Sequence, residues 1–272
     1  MPHNDNDETT GPDPNISVIP MVGGRLASFA SGWSTALGFK IHPWVSNVLL
    51  YGYRLPLISH PPLRPSHQSL CHLSASNDTQ QVINNEIQKL LQKQAIELIQ
   101  HHHPPLGFHS NLFVIPKKDG GLRPVLNLKP LNQHMPIQHF KMETMQTITN
   151  LLQPGDFLTS IDLQDAFHHI LIHPQYRHLL RFQWKTQTYQ YRVLPFGLSL
   201  SPLVFTKVLK PVLKWARRQG IRITAYLDDL LIMGNSFQQT QHFTHKFQGR
   251  KSERSAEWLI HFSSITKSVG PA

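Results

Sequence analysis

Two acidic residues interrupt an apolar stretch late in the chain, and this pattern constrains the fold more than any other. Residues 221–226 and 230–233 have the composition of two short apolar strands, with Asp228 and Asp229 between them. Such a short connection predicts a tight hairpin with both carboxylates at its tip. An acidic turn on the protein surface would have the same sequence. Asp228 and Asp229 alone therefore do not establish a catalytic function.

A third aspartate ends another apolar strand. Residues 156–163 are rich in β-branched and aromatic residues, and Asp162 lies near the end of this stretch. An acid embedded in apolar strands is costly to bury unless it is paired or bound to a metal. Two strand ends can bring Asp162 beside Asp228, and paired carboxylates suit two Mg²⁺ ions, or Mn²⁺, that promote in-line phosphoryl displacement. The pattern therefore indicates a metal-dependent phosphoryl-transfer site.

Composition narrows the choice of partner. The chain has 272 residues, with 26 Lys and Arg against 16 Asp and Glu, a net charge of +10. A basic chain of this size favours a polyanionic partner, most often nucleic acid. The single cysteine, Cys71, excludes a disulfide framework and a Cys-rich zinc site. No secretion signal and no apolar run of about 18 residues is present, so we expect an intracellular protein, in the cytoplasm or nucleus, without a membrane partner.

Hydrophobic periodicity predicts a mixed α and β chain. Apolar residues recur at helical spacing over residues 77–100, and Ser201 followed by Pro202 is typical of a helix start. The predicted helices cover residues 77–100, 142–152 and 201–218, and the predicted strands cover residues 112–116, 123–129, 156–163, 180–184, 189–194, 221–226 and 230–233.

Four motifs in a fixed order resemble the reverse transcriptase family. Residues 226–229 (YLDD) resemble its Tyr-x-Asp-Asp box, and residues 160–167 (SIDLQDAF) resemble its first metal-binding motif. Residues 194–205 (LPFGLSLSPLVF) are similar to the motif that contacts template and nucleotide. Residues 113–125 (FVIPKKDGGLRPV) are similar to the fingers hairpin. The resemblance covers roughly residues 77–235.

The resemblance implies a fold, a reaction and a set of partners. The implied fold is an α+β polymerase palm and fingers, an antiparallel palm sheet with packed helices, with the thumb missing or incomplete. The implied reaction is RNA-directed DNA polymerisation, which adds deoxynucleotides from dNTPs to a primer 3′-hydroxyl on an RNA or DNA template. Residues 22–25 (VGGR) and 53–56 (YRLP) make the chain most similar to retrotransposons of the DIRS type, with gypsy-type elements as the nearby alternative. The sequence gives no oligomeric state.

The resemblance also implies a role for each site residue. Asp162 and Asp228 would hold two Mg²⁺ ions, and Asp229 would support them from the same turn. Phe167 matches the ring that excludes a ribose 2′-hydroxyl. The implied nucleotide-binding residues are Lys117, Lys118, Arg123, Asp165, Ala166, Phe167, Phe196 and Gly197. The implied motif-supporting residues are Pro195, Ser201, Pro202, Tyr226 and Leu227.

Pattern changes along the chain predict four parts. We expect a disordered tail over residues 1–16, an N-terminal extension and linker over 17–76, the fingers and palm over 77–235, and an aberrant or truncated tail over 236–272. The pattern breaks near Phe247, which suggests a truncated or frameshifted copy of a longer polymerase. The alternative function is therefore a catalytically disabled relic that only binds nucleic acid.

Four basic residues at helical spacing allow two interpretations. Lys207, Lys210, Lys214 and Arg217 recur at helical spacing, as in a solvated helix face or a surface that follows a nucleic-acid backbone. The three adjacent histidines at residues 101–103 indicate a solvated loop rather than a metal tract.

Overall fold

The computed structural model describes residues 22–65, 76–99, 106–117, 120–140, 142–143, 145–248 and 264–271. The expectations for residues 1–16, Cys71, residues 101–103, Lys118 and the break after residue 248 fall outside this description.

Helices and strands alternate along the chain. The helices are α1 (Trp33–Leu37), α2 (Pro43–Tyr51), α3 (Asn77–Gln92), α4 (Lys129–Asn132), α5 (Met145–Leu151), α6 (Ser201–Arg218) and α7 (Phe237–Gln248). The strands are β1 (Ile96–Leu98), β2 (Leu112–Pro116), β3 (Leu122–Leu126), β4 (Phe157–Leu163), β5 (Arg181–Trp184), β6 (Gln187–Tyr191), β7 (Arg222–Tyr226), β8 (Asp229–Gly234) and β9 (Ser264–Pro271). Short 3₁₀ segments cover Arg25–Gly32, Ala166–His169 and Pro174–Leu179.

A four-stranded antiparallel sheet, in the order β7-β8-β4-β9, carries the acidic residues. The β7–β8 hairpin has the predicted form, with Tyr226 opposite Asp229. Strand β4 pairs with β8, so that Asp162 also lies opposite Asp229. On its other edge β4 pairs with β9, with Ile161 opposite Thr266. The strand that bears Asp162 is therefore an interior strand, held on both sides.

Two smaller sheets complete the strand pairing among the described residues. One is the predicted β2–β3 hairpin, and the other has the order β1-β6-β5. The predicted helix over residues 77–100 is too long, because α3 ends at Gln92. Gln94 then adopts a left-handed φ of 55°, and the chain turns into β1, where Ile96 pairs with Tyr191. Pairing with a distant strand overrides the helical periodicity there.

Helix α6 matches its predicted bounds but not its predicted cap. Ser201 is the first helical residue, and Leu200 precedes it without a side-chain cap. The Ser201 hydroxyl instead donates a hydrogen bond of 2.9 Å to the carbonyl oxygen of Pro195. Because Ser201 is fully buried, its hydroxyl closes the preceding loop rather than the helix end. Pro211 lies inside α6, which continues through it.

The described part of the N-terminal extension packs into the same core as the rest of the chain. Trp33 and Leu49 are buried in one apolar cluster with the inner residues of β4 and α6. The backbone N–H of Tyr53 donates to Leu171 at 2.7 Å, and the N–H of His173 donates to Tyr53 at 2.9 Å. Among the described helices, none is both long and apolar enough to cross a bilayer.

Candidate active site

Three carboxylates meet at one end of the four-stranded sheet. Asp162 and Asp229 are directly opposite on β4 and β8, and both are exposed. Asp228 is half-buried in the turn, and its carbonyl oxygen accepts a 2.9 Å hydrogen bond from the N–H of Leu163. This bond fixes the turn against β4, so the predicted approach of Asp162 to the Asp-Asp turn is present in the structure.

The negative charges of this cluster act on one another. Partial burial raises the pKa of Asp229, and the charges of Asp228 and Asp162 raise it further. Removing one proton from the cluster is therefore harder than removing one from an isolated carboxyl group. A bound cation would relieve this repulsion.

The turn between β7 and β8 contains a left-handed residue. Leu227 and Asp228 are its two central residues, and Leu227 has a φ of 56°. A non-glycine residue in this region costs of order 1–3 kcal/mol, and such strain clusters at functional sites. The adjacent Tyr226 exposes 51% of its surface, so the turn lies open to a ligand.

The carboxylates fit a divalent metal that a substrate helps to hold. Among the described residues, no three His, Cys, Asp or Glu side chains form a ready-made metal cage. Mg²⁺ in nucleotide-processing sites is usually held by one or two carboxylates, with substrate phosphates and water completing the octahedron. Asp162 and Asp228 offer hard oxygen donors at an open edge, and the raised pKa of Asp229 reports uncompensated negative charge there.

An aromatic cluster lies after β4. Phe167 exposes only 6% of its surface, whereas Phe196 exposes 50%. Their ring centroids are 4.9 Å apart, and Phe167 also contacts Phe205 at 5.7 Å. Phe167 is therefore mostly covered, and Phe196 presents the open ring. Ala166, beside them, is buried.

Asp165 is held in an ion pair that the sequence did not predict. Lys93 Nζ lies 2.7 Å from Asp165 Oδ2, and His168 Nδ1 lies 3.5 Å from Asp165 Oδ1. Burial would raise the pKa of Asp165, but its contacts with His168 and Lys93 outweigh burial and lower the pKa to about 2. The carboxylate therefore stays charged and fixed, and the turn after Asp162 is anchored to the end of α3.

Asn132 braces the loop over residues 195–200. Its Nδ2 donates to the carbonyl oxygen of Gly197 at 2.9 Å, and its Oδ1 accepts from the N–H of Ser199 at 3.0 Å. Gly197 is exposed and has a φ of 90°. The sequence does not predict this role of Asn132, because only the fold brings it to this loop.

The two described cations of the predicted fingers hairpin lie apart from the carboxylates, in their own two-stranded sheet. Arg123 pairs opposite Ile115 on β2–β3. Lys117 begins the turn, and its N–H donates to Gly121 at 2.7 Å. Both side chains are exposed, and neither forms an ion pair with a described carboxylate. They are free to meet an anion from solvent.

Comparison with known families identifies the fold. The family described as reverse transcriptase (RNA-dependent DNA polymerase) matches residues 115–258, more than half of the 272 residues. This chain belongs to the reverse transcriptase family. The match runs past Phe247, near which the sequence pattern predicts a break.

Relatives of this reverse transcriptase chain include transposon polyproteins. The Tf2-3 and Tf2-7 polyproteins of Schizosaccharomyces pombe are 28% and 27% identical to it over 146 residues, 54% of the chain. That region is 11% of each polyprotein, so the chain spans about a tenth of the length of these relatives.

Solved structures confirm the fold of the reverse transcriptase chain. The prototype foamy virus protease–reverse transcriptase matches with a TM-score of 0.59 at 21% identity, over 80% of this chain and 27% of that one. A CSH mutant of the same viral protein matches with a TM-score of 0.58 at 22% identity over the same shares. The predicted α+β palm and fingers are confirmed.

Proposed function

We propose that the chain is the reverse transcriptase domain of a retrotransposon and that it polymerises DNA on a nucleic-acid template. The observation that carries the proposal is the meeting of Asp162, Asp228 and Asp229 at two paired strand ends. The transposon polyproteins among its relatives support the retrotransposon origin. The stretches at residues 22–25 and 53–56 support the DIRS type over the gypsy type.

In this proposal Asp162 and Asp228 hold two Mg²⁺ ions, with Asp229 as their support. The bound ions would activate the primer 3′-hydroxyl and neutralise charge on the phosphates. The protein contributes position: the β4–β8 pairing fixes Asp162 against the turn, and the hydrogen bond from Leu163 fixes Asp228. Fixed groups that need no reorganisation stabilise developing charge better than mobile ones.

The surrounding residues receive the incoming deoxynucleotide. Lys117 and Arg123, with Lys118 between them in the sequence, grip the triphosphate, since Arg makes bidentate phosphate contacts and Lys acts as a point charge. The rings of Phe167 and Phe196 are in contact in a tilted arrangement, with centroids 4.9 Å apart, which supports a joint role in excluding a ribose 2′-hydroxyl. Asp165 acts by positioning, because Lys93 holds its carboxylate.

The proposal extends to partners and domain limits. Template, primer and dNTPs are the substrates, and residues 77–235 form the fingers and palm. Residues 22–65 support the fingers and palm by packing into the same hydrophobic core, rather than acting as a linker. Their buried side chains support this role.

Primer extension on an RNA template with dNTPs and Mg²⁺ tests the function. We expect extension by the unmodified chain and a loss of about 100-fold or more in Asp228→Asn, on the scale of losing one group that stabilises transition-state charge. Asp78→Asn, at an exposed position in the first turn of α3, is the matched control and should extend normally.

A second readout separates a damaged site from a damaged fold. Because Asp228 and Asp162 repel Asp229, Asp228→Asn should melt at the same or a higher temperature without metal. No extension by the unmodified chain, with duplex binding retained, would contradict the polymerase proposal and favour the disabled relic. Equal extension by both variants would remove Asp228 from the mechanism.

A further inference from the structure

A basic groove runs along the outer face of α6. It is lined by Phe39, Lys40, Trp44, Lys207, Lys210 and Lys214, among others, and encloses about 750 Å³. We call it the α6 groove. A second depression of about 540 Å³ shares Lys210 and Lys214 and continues the surface to Arg217 and Arg218. This second depression also contains Glu143, which pairs with Arg217, so the α6 groove is the part whose lining has no acidic residue.

The charged side chains that line this groove are all positive. Helix α6 carries five Lys and Arg residues and no acidic residue. The other wall is formed by residues 39–45, which carry Lys40 and no Asp or Glu. The lining of the groove thus contains four lysines and no acidic residue. An ordinary solvated helix face mixes both signs, so this segregation favours a polyanionic ligand.

The cations of the groove are positioned but not neutralised. Lys207 lies over the Trp44 ring at 5.0 Å, and Lys214 and Arg218 lie over the Phe39 ring at 5.2 and 4.7 Å. Within the described part of the chain, none of these three cations forms an ion pair with a carboxylate. Arg217 differs, because it pairs with Glu143. The aromatic contacts limit side-chain motion and leave the charges available.

The groove is separate from the catalytic carboxylates. Phe205, on the buried face of α6, contacts Phe167 of the site, whereas Lys207 is exposed two residues later. Side chains two positions apart on a helix point in directions that differ by about 200°. The basic stripe therefore faces away from the aromatic cluster. Its basic residues recur about every turn, and they extend over about 16 Å from Lys207 to Arg218.

We propose that the α6 groove binds the backbone of single-stranded nucleic acid, at a second site outside the catalytic cleft. The groove has no acidic side chain in its lining, so its charge complements a phosphate backbone. It also contains the rings of Phe39 and Trp44, and aromatic side chains are typical of surfaces that bind single strands. A strand held here would be an unpaired part of the template, at a distance from the primer terminus. Binding of a strand to the α6 groove needs neither metal nor dNTP, so it can be tested without polymerisation.

Fluorescence anisotropy with a labelled oligouridylate of about 15 nucleotides, without metal or dNTP, tests the proposal. The test variant of the full chain is Lys207→Gln with Lys210→Gln and Lys214→Gln. The matched control is Lys89→Gln with Lys185→Gln and Lys246→Gln, three exposed lysines on other elements. Both lose three charges, so they differ only in where the charge is removed.

We expect the groove variant to bind at least tenfold more weakly at low salt. Its slope of log K against log salt should shrink by about 2, since each phosphate contact on a single strand contributes about 0.7. The control should change the slope by much less. Equal effects in both variants would overturn the proposal, because binding would then depend on net charge alone.

Crosslinking locates the bound strand. Oligouridylate substituted with 4-thiouridine should crosslink to peptides containing Trp44 or residues 207–218. Crosslinks only to peptides of the catalytic hairpin would overturn the second site. Displacement of the RNA by polyglutamate at equal charge concentration would likewise overturn it, in favour of an acidic protein partner. Neither result bears on primer extension, so failure here is distinguishable from failure of the proposed polymerase.

Discussion

Lys93 and Asp165 join the end of α3 to the turn that follows Asp162. Their charged atoms are 2.7 Å apart, and the side chains expose only 19% and 15% of their surface. The N–H of Gly23 donates to the Lys93 carbonyl oxygen at 2.7 Å, so three distant segments meet at this pair. The ion pair is a structural anchor beside the site.

The pair should make stability depend on acid pH. The pKa of Asp165 is about 2 in the folded chain, against its ordinary value of 3.8. Its stabilisation is therefore present above about pH 4 and is lost as pH falls towards 2. We expect Asp165→Asn to lower the free energy of unfolding by about 1–2 kcal/mol at pH 7. In urea unfolding followed by fluorescence, this difference should shrink as the pH falls from about 4 to about 2.

A control isolates the ion pair from the loss of the carboxylate itself. Lys93→Met should show the same pH trend, because it leaves Asp165 without its counter-charge. The double variant should cost less than the sum of the two single changes. A difference from the unmodified chain that is constant over the pH range would contradict the assignment.

Residue types predicted that the three carboxylates lie together, but not the residues that anchor the neighbouring turns. Asp162 and Asp228 stand out in the sequence because they interrupt apolar strands, where a carboxylate is costly to bury. Lys93 and Asn132 carry no such signal, since a lysine near a helix end and an asparagine in a turn are ordinary. Only tertiary packing brings them to Asp165 and Gly197.

At the scale of elements, the β7–β8 turn carries Asp228 and Asp229 beside a residue with an unfavourable backbone conformation. Leu227 holds a φ of 56°, which an L-residue with a Cβ adopts at a cost of about 1–2 kcal/mol. We therefore expect Leu227→Gly to be more stable than Leu227→Ala by about 1 kcal/mol. Both variants lose the same contacts of the leucine side chain, so the comparison isolates the backbone.

Chemical denaturation of the two variants measures this difference. If Leu227→Ala proves as stable as Leu227→Gly, the turn has relaxed to a negative φ in the alanine variant, and the strained turn is not an intrinsic feature of the hairpin. Primer extension on the same pair then reports how far the strain fixes Asp228. We expect the glycine variant to extend more slowly, because its turn has more conformational freedom.

Elements with strong local patterns were predicted well, and those that depend on distant partners were not. The β2–β3 and β7–β8 hairpins and α6 follow from alternation, short turns and helical spacing. Strand β9 was not predicted from the sequence, because the sequence there is polar and its pairing with β4 is a long-range contact. Strand β1 was absorbed into the predicted helix for the same reason.

At the scale of the whole molecule, the N-terminal segment is part of the folded body. Its weak periodicity and many prolines predict an extension and linker, yet its apolar side chains complete the core around α6. Gly52 is one of the positions where the backbone of this segment lies close to the rest of the chain. It has φ 84° and ψ 161°, and an added Cβ would lie 2.7 Å from the His173 nitrogen.

Substitution at this junction should separate the segment from the core. We expect Gly52→Ala to lower the free energy of unfolding by about 3 kcal/mol or more, since φ and ψ there are accessible only to glycine and the Cβ would meet backbone. Gly38→Ala is the control, because Gly38 has a φ of 68° but no atom within 4 Å of an added Cβ. It should cost about 1 kcal/mol from the backbone alone.

Limited trypsin digestion distinguishes local detachment from general loss of stability. The Arg54 side chain is exposed, but the neighbouring Tyr53 backbone is held by Leu171 and His173. Gly52→Ala should therefore be cut after Arg54 much faster than the unmodified chain, whereas Gly38→Ala should be cut at nearly the original rate. Equal costs and equal cleavage in the two variants would mean that the junction at Gly52 does not hold the segment to the palm. The N-terminal wall of the α6 groove would then lack a rigid support.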